Sequence, residues 1–189
     1  VLAFLAESRS GTYLDATFGG GGHTRALLET DSGNRVVALD CDPEALLRGR
    51  QLQESFPGRL TLHHLNFGRL ASLEEEGFCG ILFDFGVSSF HFDQAERGFS
   101  FQQDGPLDMR MDPGSGLPAS AYLNQASHYE LVQAVRDFGE ETRWRRVVAA
   151  IEQSRGLPAL ERTRAFAGLI EAAVGGRRGH RRRTRELDR

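Results

Sequence analysis

The chain has 189 residues, 40% of them apolar, and a formal net charge of −3. This allows one domain, or one domain with a small second, and argues against a disordered coil. With no run near the ~18 apolar residues of a membrane-crossing helix and no basic stretch leading into an apolar block, neither a membrane protein nor a secretory leader is read.

The first half alternates short apolar runs with helix-like stretches. Thr12–Asp15, Arg35–Asp40, Leu60–Leu65 and Gly80–Asp84 read as strands, three of them ending in an acid. Continuous apolar runs fit strands buried on both faces, as in a parallel sheet. Between them His23–Glu29 and Pro43–Phe56 read as helices, the second with Asp42 as cap and Pro43 in its first turn. The alternation predicts a doubly wound α/β sheet. Phe85–Pro118, rich in Gly, Asp, Ser and Phe, shows no period and reads as a long structureless loop, either functional or disordered. Ala119–Asn124, His128–Phe138, Glu141–Arg155 and Thr163–Val174 then read as four helices of a separate unit. Gly175–Arg189, with seven Arg and two acids, is expected to be mobile or partner-bound.

Charge follows the same division. Residues 1–135 carry 9 Arg and 18 acids, a balance of −9; residues 136–189 carry 14 Arg and 8 acids, a balance of +6. A basic C-terminal part suits phosphate, or is simply a solvated helical surface. Cys41 and Cys79 are too few for a disulfide scaffold and are not spaced as a metal site, so a reducing compartment is the simplest reading.

Three stretches carry chemistry. The glycine-rich run from Asp15 to His23 follows a strand and opens a helix, as a nucleotide-binding turn does. Asp40 ends the next strand, where an acid can hold both hydroxyls of a ribose. The pair fits a dinucleotide or S-adenosylmethionine. The second stretch is Asp84-Phe85-Gly86-Val87-Ser88-Ser89, outside the fourth strand. A carboxylate there can accept an N–H hydrogen bond from an exocyclic amine and stabilise the positive charge that methylation develops on it. The third is Glu96 to Pro113, mixing guanidinium, carboxylate and aromatic groups. Arg97 or Arg110 could bind phosphate and Phe99 or Phe101 could stack a base. The alternative is that the charges pair with each other and the rings anchor the loop, which spacing favours for the phenylalanines.

Together these blocks resemble the ribosomal RNA small-subunit methyltransferase H family, MraW-like methyltransferases acting on cytosine N4 of 16S rRNA. The resemblance rests on Thr17-Phe18-Gly19 through Gly21-Gly22-His23, Ala38-Leu39-Asp40-Cys41-Asp42-Pro43, Asp84 to Ser89, Glu96 to Pro113, and Phe138-Gly139-Glu140-Glu141. It implies a Rossmann-like class I α/β methyltransferase fold with an inserted all-helical domain, residues 1–112 forming the first and 113–189 the second. It implies S-adenosylmethionine held by Gly21, Gly22, His23, Asp40, Phe67 and Asp84. His91 stands where the family has a glutamine, and Phe90 where it has a proline, so contact through His91 is the weakest of the set. Asp84, Ser88 and Ser89 are the expected catalytic positions, Arg97, Phe99 and Arg110 the expected RNA contacts, and no metal is expected. The partner is small-subunit rRNA or the assembled small subunit, with a homodimer possible. The location is cytoplasmic, or the mitochondrial matrix in a eukaryote. The family's chain returns to the first domain for its last strands. That return is not found here, so the chain is expected to stop short of the complete fold and to be unstable or inactive alone. Two other readings stay open: a nicotinamide-dependent oxidoreductase, and a non-catalytic RNA-binding module.

Overall fold

A computed structural model describes Leu5 and residues 10–175. Four parallel strands, β1 (Thr12–Asp15), β2 (Arg35–Asp40), β3 (Leu60–His64) and β4 (Gly80–Leu82), lie in the order β3-β2-β1-β4. Both faces are covered, which is why the strands read as apolar runs rather than alternating ones. On one side Tyr13, Val36, Ala38 and Leu60 meet α1 (Gly22–Thr30) and α2 (Pro43–Ser55) through Leu27, Leu28, Ala45 and Leu52. On the other, Leu14, Val37 and Leu39 lie under Leu65, Leu70, Leu73 and Phe78, from the stretch between β3 and β4. The fold is α/β and Rossmann-like, as the alternation predicts.

Local chemistry sets the helix starts. Asp42 caps α2 by accepting the Glu44 N–H at 3.0 Å, with Pro43 in the first turn, where its missing N–H costs nothing. Gly21, left-handed at φ 75°, precedes α1, and no side chain caps that helix. Its first N–H groups are therefore left to other partners. β4 is shorter than its apolar run: the strand ends at Leu82, two residues before Asp84.

The chain divides into two compact units, one of residues up to Phe90 plus Met111–Gly114, the other of His91–Arg110 plus Ser115 onward. Thus 91–110 groups with the helices, where the resemblance implies a boundary at 112. Nor is 85–118 structureless throughout: it contains α3 (Ser89–Asp93), a 3-10 turn at Ala95–Arg97, and a β-bridge from Pro106 to Arg162. In the second unit α4 (Ala119–Gln125), α5 (His128–Val132), α6 (Trp144–Gln153) and α7 (Thr163–Val174) surround Leu123, Leu131, Val148, Ile151 and Leu160. Ser127 and Glu130 form a reciprocal capping box on α5, which runs on as a π-helical segment to Phe138. No helix among the described residues is long and apolar enough to cross a membrane. The basic run after Gly175 lies outside the described residues.

Candidate functional site

The glycine-rich turn is held by a buried acid. Asp15, at the end of β1, has no exposed surface; it accepts the Thr24 hydroxyl at 2.6 Å and the Thr17 N–H at 3.2 Å. Burial pushes its carboxyl above the ordinary range, and these hydrogen bonds offset part of that rise. The Phe18 N–H then donates to the Leu39 carbonyl at 2.9 Å, which draws the turn toward the end of β2. At Gly21 a Cβ would lie 2.6 Å from the Phe18 ring, so neither the φ nor the space admits a side chain. Gly22, opening α1, has nothing within 4 Å of where a Cβ would stand.

Asp40 closes the other side of the turn. One carboxylate oxygen accepts the Gly19 N–H at 2.7 Å and the other the Asp42 N–H at 2.8 Å. The half-buried group is fixed by these bonds. Each oxygen keeps acceptor capacity, since a carboxylate has about four lone-pair sites, so it can still take a pair of vicinal hydroxyls.

Asp84 lies just past β4. Its N–H donates to Thr17 Oγ1 at 2.7 Å, and its carboxylate, 66% exposed, has Oδ2 3.3 Å from Nε2 of His23 at the start of α1. The turn and the strand-end acid, 67 residues apart in sequence, are thus joined through Thr17, and His23 is joined to Asp84 in turn. Phe67, Phe83 and Phe85 form an aromatic group beside them, with ring centroids 5.4–6.0 Å apart. All three are partly exposed, Phe85 by 71%. Sequence reasoning found Phe67 only by resemblance and missed Phe83 and Phe85. Their signal is the alternation Phe83, Phe85, Val87 across the strand end.

The remaining expected residues are placed differently. Ser88 Oγ accepts the Phe90 N–H at 3.4 Å, within its own loop, and Ser89 starts α3. His91 belongs to the second unit, buried with its ring 4.9 Å from Phe99. Arg97 is 5% exposed and donates to the Arg110 carbonyl at 3.2 Å. The Arg110 guanidinium grips Asp108 with two bonds, 2.9 and 2.7 Å, and holds that carboxyl below its usual range. Both arginines, expected to meet phosphate, are engaged within their own loop in this structure. They order their own loop, because a guanidinium fork satisfied by a neighbouring carboxylate and carbonyl is not presented outward. Phe99 is half-buried beside His91, while Phe101 stays exposed; with Phe166 and Ile170 of α7 both line an apolar cavity of about 400 Å³ in the helical unit. Cys41 and Cys79 are free thiols, and burial pushes that of Cys41 up. Among the described residues no cluster of His, Cys, Asp and Glu could hold a metal.

A parallel sheet with a glycine turn after its first strand, an acid ending its second and an exposed acid past its fourth defines a Rossmann-like domain with a nucleotide-type site at its strand ends. The chain belongs to the MraW methylase family, which it matches over residues 1–186. Its relatives include proteins named ribosomal RNA small subunit methyltransferase H. That of Thermomicrobium roseum is 46% identical over 182 residues, covering 94% of this chain and 56% of that protein. That of Heliobacterium modesticaldum is 44% identical over 180 residues, 92% of this chain and 58% of the relative. That of Methylobacterium nodulans is 45% identical over 168 residues, 87% and 49% respectively. The chain spans about half the length of these relatives.

Proposed function

We propose that the protein transfers a methyl group from S-adenosylmethionine to N4 of a cytidine in the decoding region of small-subunit ribosomal RNA, acting in the cytoplasm on the free RNA or the assembled subunit. The observation that carries this reading is the exposed Asp84 carboxylate beside the glycine turn, tied to it through Thr17 and His23. A binding module needs no acid there.

The residues present fit the cofactor. The open backbone at Gly22 gives close approach, Gly21 lets the turn close on the Phe18 ring, and Asp40 retains acceptor capacity for ribose hydroxyls. The Phe67–Phe83–Phe85 group offers apolar faces to an adenine or a pyrimidine. The bound cofactor supplies an electrophilic methyl group. The chain's own contribution is positional and electrostatic. The cytosine amine is a poor nucleophile because its lone pair is delocalised into the ring. The Asp84 carboxylate accepts one of its N–H bonds, favours a pyramidal nitrogen, and takes the proton the nitrogen must lose once it carries the methyl. Helix α1 presents its free N-terminal N–H groups toward the same turn, where a carboxylate such as that of the methionine moiety is favoured.

The test is an assay of labelled methyl transfer to small subunits lacking the modification, with nucleoside mass analysis of the product. Asp84→Ala in the full-length protein is expected to lower turnover by about 10²- to 10⁴-fold while S-adenosylhomocysteine affinity falls only modestly. Turnover retained in that variant, or a product other than N4-methylcytidine, contradicts the reading.

A further inference from the structure

The bond between Thr17 and Asp84 occupies an irregular place in the sheet. The Ala16 N–H donates to the Leu82 carbonyl at 2.9 Å, a regular rung between β1 and β4. In an uninterrupted parallel ladder the next rung runs from the Asp84 N–H to the Ala16 carbonyl. Here that N–H instead donates to a side chain, Thr17 Oγ1, at 2.7 Å. The substitution coincides with the end of β4 at Leu82 and comes just before Gly86, whose φ is 153°. Thr17 is itself fixed at both ends of its residue: its N–H donates to buried Asp15, and as a β-branched side chain it has few χ1 states. The backbone of Asp84 is therefore set by a hydroxyl rather than by the sheet, and the residue carrying that hydroxyl is tied through its own N–H to a fully buried acid.

We infer that Thr17 is the positioning residue of the strand-end acid: its hydroxyl stops the β1–β4 ladder one rung early and so aims the Asp84 carboxylate out of the sheet toward the acceptor base. This rests on the reading of Asp84 as the amine's acceptor. It goes beyond that reading by assigning part of the glycine turn to the acceptor side of the reaction rather than to the cofactor. Thr17 touches neither reactant in this account and acts only through Asp84. Its removal is expected to reach kcat rather than cofactor affinity, since a misplacement of about 1 Å at a reacting group costs up to about 100-fold.

The test compares Thr17→Val, Thr17→Ser and Asp84→Asn in the full-length protein. Three quantities are read: kcat and KM on unmodified small subunits, S-adenosylhomocysteine affinity by calorimetry, and hydrogen exchange at the Asp84 amide. Thr17→Val, which keeps the shape and loses the acceptor, is expected to lower kcat by about 10- to 100-fold, to leave cofactor affinity in place, and to lose protection at Asp84. Thr17→Ser is expected to restore both rate and protection. Thr17→Ala serves as a second acceptor-less variant should the valine fail to fold. If Asp84→Asn turns over like the parent, the proposed function itself falls and this inference with it. If Asp84→Asn is inactive while Thr17→Val retains rate or protection, only the inference is overturned.

Discussion

Asp15 shows how much of the site is determined by one buried group. Its folded-state carboxyl holds a proton more tightly than in the unfolded chain, because burial opposes the charged form. The stability tied to that proton is full below the ordinary value of 3.8 and is lost as pH rises through the raised one. Asp15→Asn cannot titrate. In urea unfolding the parent is therefore expected to lose stability relative to Asp15→Asn from about pH 4 upward, then to run parallel to it. A difference that stays flat across acid pH contradicts the assignment. The residue scale is also where sequence reasoning reached least far. Gly21, Gly22, His23, Asp40 and Asp84 stand out in the sequence because their motifs are local. The Thr17–Asp84 bond does not, because it depends on β1 and β4 being neighbours across 67 residues. The partners of Arg97 and Arg110 are hidden from the sequence for the same reason. Charge is visible in a sequence, but the partner that neutralises it is not.

At the scale of elements, the strands were legible because burial on both faces leaves runs such as Arg35–Asp40 almost wholly apolar. Helix α2 was legible from Asp42 and Pro43 together. What escaped was irregular hydrogen bonding: the early end of β4, the short turns of 89–97, and the π-helical Gln133–Phe138, which ends at Gly139 with Glu140 left-handed. No residue type marks a bond shifted from four residues to five. The start of the same helix is simpler. The Ser127 hydroxyl accepts the Glu130 N–H, and the Glu130 carboxylate accepts the Ser127 N–H at 2.7 Å, so two donors that α5 cannot satisfy internally are met. Ser127→Ala removes one arm and is expected to cost about 1 kcal/mol, read as a lower urea midpoint with unchanged slope. An unchanged midpoint means the cap is met by water equally well. α6 is the contrasting case, uncapped by any side chain and held by burial of Val147, Val148 and Ile151.

For the whole molecule the governing quantity is where charge remains available. The sequence separates an acidic part, −9 over residues 1–135, from a basic one, +6 over 136–189, and the proposed RNA partner would be drawn to the second. The structure refines which arginines can take part. Arg110 is already matched by Asp108, and Arg97 is buried. Arg145 and Arg146 lie on the exposed side of α6, with the Arg145 guanidinium 4.3 Å from the centre of the Trp144 ring. Each cation that meets a phosphate of single-stranded RNA contributes about 0.7 to the slope of log affinity against log salt. For a decoding-region oligonucleotide followed by fluorescence anisotropy between about 50 and 200 mM salt, replacing both Arg145 and Arg146 by Ala is expected to flatten the slope by about 1.4. Arg110→Ala is expected to leave the slope unchanged and to lower the melting temperature instead, because it leaves Asp108 without its partner. Equal flattening by Arg110→Ala would place phosphate at the loop after all, and would mean that RNA binding breaks the Asp108–Arg110 fork.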